Sequence, residues 1–304
     1  MRNFVIMVKS YAPDFHYARN LVRSFSTYCT DDTELMLVVP AVDIPLFAEL
    51  AGGNVTAVSE EPLAHYFTTE VTAGLRPGYI NQEIVKLAFW ELDLAENYLC
   101  LDSEAEFIRP FGTSDFMFSG HIPYSVLTQD LELEVDPIYF HQYGVDRRAS
   151  LEHIAAELGL DQRVILTCHG QTVFSAAVLR SWKSDFLEPR GWSYLDALRC
   201  EPYEFTWYNL WLQKSAVIPI HAREPWIKIF HHEGQHIDYL AKGLTQSDLA
   251  RGYLGVLVNS SFDREFESSE LTGKNEILGR YLSYSEYIQL GVTKLRSSLR
   301  RPKR

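Results

Sequence analysis

Four cysteines, no long apolar run and a shortfall of basic residues set the outer limits on what this chain does. Cys29, Cys100, Cys168 and Cys200 are scattered, with no C-x-x-C pair, so they form no secreted disulfide framework. Reduced thiols in the cytosol are the simpler expectation. No stretch approaches the roughly 20 apolar residues that a membrane-spanning helix needs, because charges interrupt every candidate. The first apolar run, Phe4 to Val8, is too short for the core of a signal peptide and reads as a strand. Lys plus Arg number 28 against 40 Asp plus Glu, a formal charge of −12, which argues against a general nucleic-acid binder. An anionic substrate would need local help from a metal or a few placed cations. Arg296 and the closing Leu299-Arg-Arg-Pro-Lys-Arg form a basic tail, suited to peripheral contact with anionic lipid or to a merely solvated end. The expected place is the cytoplasm, with the inner face of the membrane as the alternative.

What the chain does have is apolar bulk. Its 304 residues are 46% hydrophobic and 13% aromatic, enough for one large α/β domain or two smaller ones. Phe4 to Val8 predict a strand, and Ala18, Leu21, Val22 and Phe25 recur at helical spacing after a loop. Leu35 to Val39 read as a second strand, residues 44–50 as a helix stopped at Gly52-Gly53, and Val55 to Val58 as a third strand. This alternation predicts a mostly parallel central sheet flanked by helices. In such sheets ligands bind beyond the strands' C-terminal ends, which puts Ser10 and Tyr11 on the binding rim. Farther on, Ile80, Ile84, Leu87, Ala88 and Leu92 fit one helix face. Gln82 and Lys86, four apart, are neighbours on another, where they would meet either an anionic ligand or solvent.

The helix leads into Tyr98-Leu-Cys-Leu, a short buried strand that stops at Asp102, Glu104 and Glu106. In extended backbone that spacing turns all three carboxylates to one side. Like charges gathered there ask for a cation or for solvent. A divalent-metal site and a solvated acidic loop are both open at this point.

Three segments together carry a resemblance: Lys9-Ser-Tyr-x-Pro-Asp after the first strand, Gln82-x-x-x-Lys86-Leu87, and Tyr98-Leu-x-Leu-Asp102-x-Glu104-x-x-Phe-Ile-Arg-Pro. They resemble a family of bacterial glycosyltransferases with the GT-A fold, a nucleotide-sugar-binding α/β domain whose central strand ends in Asp-x-Asp. Here the second aspartate is Glu104. The resemblance is good over about the first 115 residues and weaker afterwards. It implies a GT-A-like domain over residues 1–240, a helical extension over 241–304, and metal-dependent sugar transfer in surface polysaccharide synthesis. It further implies Mn²⁺ or Mg²⁺ on Asp102 and Glu104, a nucleotide-sugar donor expected to be UDP-linked, and a glycan or lipid-linked acceptor. Ser10, Tyr11, Gln82 and Lys86 would contact the donor, as would Gly170 and Gln171 in a later Gly-containing turn.

Two later segments add candidates. Residues 201–212 are dense in aromatics, which stack on sugar rings, with Glu204 among them as the candidate general base. Ile227-Lys-Ile-Phe-His-His-Glu-Gly-Gln-His contains His232-Glu233-x-x-His236, the zinc metallopeptidase pattern. Residues 225–230 read as a strand, and Gly234 disfavours a helix between those histidines. His232-Glu-Gly234 is also similar to the H-x-G segment that several GT-A families bring to the metal. That likeness makes His232 the third metal ligand and Lys228 a neutraliser of the leaving diphosphate. A zinc peptidase, or a non-catalytic nucleotide-sugar-binding protein, are the alternatives. Val164 to Thr167 are expected to form a strand, and residues 176–182 a helix.

Overall fold

A computed structural model describes residues 1–129, 145–160, 164–167, 169–231 and 233–259. His232, Cys168, most of residues 122–142 and the basic tail therefore lie outside the described residues. The chain divides into two compact units. The first comprises Met1–Ser103 and Pro110–Pro225, and the second Glu104–Arg109 with the chain from Trp226 onward.

In the first unit β1 (Arg2–Lys9), β2 (Leu35–Val39), β3 (Val55–Ser59) and β4 (Ala95–Asp102) run parallel. The near-continuous Val, Ile, Leu and Met content of β1 and β2 suits strands covered on both faces, and β2 is buried at every position. β7 (Val173–Ser175) adds antiparallel to β4, giving the order β3-β2-β1-β4-β7. This is the mixed α/β architecture, a mostly parallel sheet flanked by helices, that the alternating pattern predicts. β6 (Tyr124–Ser125) and β8 (His221–Ala222) make a separate two-stranded ribbon.

Helix α1 (Phe15–Tyr28) buries Ala18, Leu21 and Phe25, the stripe its sequence spacing indicates. Helix α2 is Pro77–Ala88. Pro77 opens it with a preset φ, and Arg76 before it is extended, as a residue preceding proline prefers. A 3₁₀ turn then runs to Asp93, whose φ of 53° closes it ahead of β4. Helices α3 (Val145–Glu157), α4 (Ala176–Trp182), α5 (Tyr194–Cys200) and α6 (Glu204–Ser215) complete the unit. Helix α6 is buried from Glu204 to Leu212 without interruption. Such a helix has no solvent face in that span, so its polar members must find partners inside.

Three expectations fail. Residues 164–167 form no strand: the Gln213 side chain accepts from the Ile165 N–H at 2.9 Å and donates to the Ile165 carbonyl at 3.0 Å. A side-chain amide thus takes the place a strand neighbour would fill. Asp102, Glu104 and Glu106 also do not share one extended segment. β4 ends at Asp102, Ser103 and Glu104 turn, and Glu106 lies in β5 (Ala105–Phe107) of a different sheet.

That sheet belongs to the second unit, in the order β5-β10-β9, with β9 (Ile227–Phe230) parallel to β10 (Gly255–Val258). A Cβ on Gly255 would stand 2.8 Å from the Glu106 carbonyl, so only glycine allows this pairing. Helix α7 (Glu233–Ala241) follows β9. Gly234 does not prevent it. Among the described residues no helix is long and apolar enough to cross a membrane.

Candidate functional site

The C-terminal ends of the parallel strands form one rim in the first unit. Strand order reverses there between β1 and β4, since β2 and β3 lie to one side of β1 and β4 to the other. Such a reversal opens the crevice in which doubly wound sheets bind ligands. Lys9 and Asp102 face each other in register across it. The Lys9 ammonium donates to the Ser10 carbonyl at 2.7 Å and pairs with Glu60, beyond the end of β3, at 2.8 Å. Burial pushes the Glu60 pKa up, against the opposing pull of Lys9. The Ser10 hydroxyl is buried and has no hydrogen-bond partner among the described residues. Tyr11 is half-buried, and the following loop is tied down by the Ala12 N–H donating to Asp43 Oδ2 at 2.8 Å.

Asp102 is the better-organised half of the rim. Its carboxylate is 25% exposed and is held on both sides. Oδ1 lies 2.9 Å from the Lys86 ammonium of α2, and Oδ2 accepts from Gln171 Nε2 at 2.8 Å. Gln171 Oε1 in turn accepts the Asp102 N–H at 3.0 Å. The Lys86 ammonium also donates to Glu204 Oε1, on the first turn of α6, at 2.7 Å and sits over the Phe205 ring at 5.0 Å. One buried lysine thus joins α2, β4 and α6. The Tyr98 hydroxyl donates to the Lys86 carbonyl at 2.7 Å, anchoring the same residue from its backbone.

A third carboxylate, Glu83, is 1% exposed on α2. Burial is the main cause that raises its pKa to about 7, opposed by Lys86 and reinforced by Asp102. Burial by itself would lower the Lys86 pKa, but attraction to Asp102 and Glu83 outweighs it and leaves that pKa raised. Arg147, its guanidinium 5.0 Å from the Tyr203 ring, adds positive potential that favours the ionised Glu83.

The structure therefore brings together Lys86, Asp102, Gln171 and Glu204, with Ser10 and Tyr11 following the β1 strand that pairs with β4. Gly170 passes over Phe205, where a Cβ would come within 3.2 Å of the ring. Gln82 is half-buried on α2. Glu104 and Lys228 belong to the second unit. There the Lys228 ammonium lies 5.7 Å from the Phe230 ring and 5.5 Å from the Tyr239 ring. His236 sits on α7 with its ring 4.9 Å from that of Phe230. Among the described residues no group of three or more His, Cys, Asp or Glu side chains is placed to hold a metal ion.

Sequence reasoning did not single out Glu83. The signal was available: Ile84, Val85, Leu87 and Ala88 surround Lys86 on every side of the helix, so no face in that turn is left for water. The Lys9–Glu60 pair left no such trace, since it depends on a register between strands.

No family model and no curated protein matches the chain. Among solved structures, mouse xyloside xylosyltransferase 1 in its apo form is similar at a TM-score of 0.47 and 8% identity, over 85% of this chain and 98% of that one. The apo structure of the bifunctional glycosyltransferase WbbM is similar at 0.46 and 10% identity, over 84% of this chain and 45% of that one. At TM-scores below 0.5 neither likeness carries weight for the chemistry.

Proposed function

We propose that the chain transfers a sugar from a nucleotide-sugar donor, expected to be UDP-linked, to a glycan or lipid-linked acceptor. The observation that supports this best is the placement of Asp102. A partly exposed carboxylate stands at the strand-order reversal, directly opposite Lys9 in register, with Lys86 and Gln171 fixing both its oxygens. Donor recognition at such a crevice would use the loop after β1, which carries the buried Ser10 hydroxyl, without a hydrogen-bond partner among the described residues, and the half-buried Tyr11.

A divalent cation, Mn²⁺ or Mg²⁺, is part of the proposal. Charge at the site is compatible with one: Asp102 and Glu204 share the Lys86 ammonium, Glu83 lies within its electrostatic reach, and Asp102 Oδ2 accepts one hydrogen bond while keeping a second lone-pair direction. When bound, the ion would neutralise charge on the donor's diphosphate. Asp102 would hold it. Glu104 opens the second unit and His232 lies outside the described residues, so Asp102 is the one proposed ligand that belongs to the first unit.

Glu204 is the proposed base. Its carboxylate is paired to the Lys86 ammonium at 2.7 Å, and the same ammonium stands 2.9 Å from Asp102, which places the proposed base beside the donor-facing carboxylate. A role in surface polysaccharide synthesis, and contact of the basic tail with a membrane's inner face, extend the same proposal.

The test is a thermal-shift screen of nucleotide sugars with and without Mn²⁺, followed by donor turnover. A donor that binds the folded state raises the melting point. Asp102→Asn is expected to abolish metal-dependent turnover while the protein stays folded. Undiminished turnover sinks the assignment. Donor affinity with no turnover in the native chain points instead to a non-catalytic binding protein, and stoichiometric zinc lost on His236→Ala to a peptidase.

A further inference from the structure

We propose that Gln171 is the positioning residue of the site: its carboxamide is the partner of Asp102 rather than of the donor sugar, and it sets the direction in which Asp102 points. The inference rests on the reading of Asp102 as the donor-facing carboxylate. Three observations carry it. First, the carboxamide grips a single residue twice, accepting from the Asp102 N–H at 3.0 Å and donating to Asp102 Oδ2 at 2.8 Å. Asp102 is thereby fixed at backbone and side chain by one planar group, which leaves its carboxylate little freedom to turn. Second, Gln171 is 3% exposed, so the grip is shielded from competing water. Third, its φ is +59°, in the left-handed region that side-chain-bearing residues seldom adopt. Backbone held in such a conformation persists where surrounding contacts over-determine it, often at functional sites.

The ladder between β4 and β7 explains how the residue comes to do this. Leu99 pairs with Val173, and the Cys100 N–H donates to the Thr172 carbonyl at 3.0 Å. The next β4 group to be satisfied is the Asp102 N–H. The left-handed turn at Gln171 takes its own backbone out of strand geometry, and the side-chain carbonyl supplies the acceptor in its place. The other end of the same amide is then left beside the carboxylate. Oδ1 is meanwhile held by Lys86, so Asp102 is braced from α2 on one side and from the β7 approach on the other.

A structural continuation of the ladder and a positioning role make different predictions for two variants. Gln171→Met removes both hydrogen bonds. Gln171→Glu keeps an acceptor for the Asp102 N–H and replaces the amide donor with a carboxyl, which meets Oδ2 either as a like charge or through a shared proton. The experiment is backbone amide hydrogen exchange on the full chain, read at Asp102 and Cys100, together with turnover of UDP-sugars in the presence of Mn²⁺. In Gln171→Met the Asp102 amide is expected to exchange about tenfold faster or more, with Cys100 unchanged, because only the local bond is lost. In Gln171→Glu the Asp102 amide stays protected. In both variants kcat falls on the order of 10- to 100-fold, the usual effect of losing a group that orients a ligand or reacting residue, while KM for the donor moves less. Unchanged exchange at Asp102 in Gln171→Met overturns the clamp. Turnover within about threefold of the native chain in Gln171→Glu overturns the positioning role and leaves a ladder contact only. A native chain that turns over no nucleotide sugar sinks the glycosyl-transfer reading instead, and exchange at Asp102 then decides the clamp by itself.

Discussion

Lys86 and Glu204, 118 residues apart in sequence, meet at 2.7 Å in the interior, and the same ammonium stands 2.9 Å from Asp102. The pair with Glu204 is buried, the lysine side chain 3% and that of Glu204 6% exposed, while Asp102 keeps 25% of its side chain exposed. Charges removed from water to this degree are tolerated only in one another's company. Lys86 is therefore the one charge that this buried cluster of carboxylates has in common.

Replacing Lys86 with methionine keeps the volume of the stem and removes the charge, leaving Asp102, Glu204 and Glu83 without their shared cation. The expected cost is about 3–5 kcal/mol, the range for breaking a buried pair from one side. Urea unfolding at neutral pH measures it. Lowering the pH should return part of the loss, since protonated acids no longer need the ammonium. A cost below about 1 kcal/mol, the value of an exposed pair, contradicts the arrangement.

Glu83 makes the native protein itself pH-sensitive. Its pKa rises from 4.5 to about 7 on folding, chiefly through burial, so the folded state binds its proton more tightly than the unfolded chain does. The resulting stability is fully present below 4.5 and is lost as the pH rises through about 7. Across that window the loss is on the order of a few kcal/mol. Glu83→Gln imitates the protonated form. The variant should be the more stable protein at pH 8 and should show a flatter stability profile across the window. Parallel profiles for the two proteins would assign the pH dependence to other groups.

The first hundred residues were legible because local pattern and tertiary role coincide there. Uninterrupted apolar runs in β1 and β2 mean burial on both faces, and Pro77 marks the start of α2 unaided. Asp102 at a strand's end was legible for the same reason. What escaped was long-range pairing. Glu204 reads as one acid in an aromatic stretch, and nothing local says that Lys86 is its partner. Gln171 reads as part of a glycine turn, whereas its role follows from a left-handed backbone that no spacing announces. The alternation of Asp102, Glu104 and Glu106 misled because a turn at Ser103 and Glu104 sends the chain into a different sheet.

A second ionic cluster shares no residue with the first and provides a control. The Lys183 ammonium donates to both Glu91 oxygens at 3.0 Å and to the Tyr66 hydroxyl at 2.8 Å, and the Tyr194 hydroxyl donates to Glu91 at 2.6 Å. The Tyr66, Trp90 and Tyr194 rings enclose the ammonium at 5.3, 5.9 and 5.8 Å. With 26% of the lysine side chain exposed, solvent screens part of the attraction. Lys183→Met is expected to cost about 1–2 kcal/mol, less than the corresponding change at Lys86. Thermal shifts caused by nucleotide sugars should be unaltered, and their loss would tie this cluster to the binding rim.

Gly170 provides the most conservative probe of the site. Its φ is not in the left-handed region, so alanine is acceptable to the backbone, and the difficulty is space. The added Cβ would lie 3.2 and 3.4 Å from two carbons of the Phe205 ring, close enough that the ring must move by a few tenths of an ångström. That ring is packed edge-on to Phe174 at 5.5 Å and lies beneath the Lys86 ammonium at 5.0 Å, so its movement reaches the charge cluster. Gly170→Ala is expected to cost about 1 kcal/mol of stability, the lower end for overpacking a filled interior. Donor affinity should fall by a larger factor than that loss accounts for, because the displaced ring disturbs Lys86 and through it Asp102. Urea unfolding and isothermal titration with the best nucleotide sugar, on the same preparation, separate the two effects. A variant that loses stability yet binds the donor as the native chain does would show that Phe205 supports the fold and leaves the site untouched.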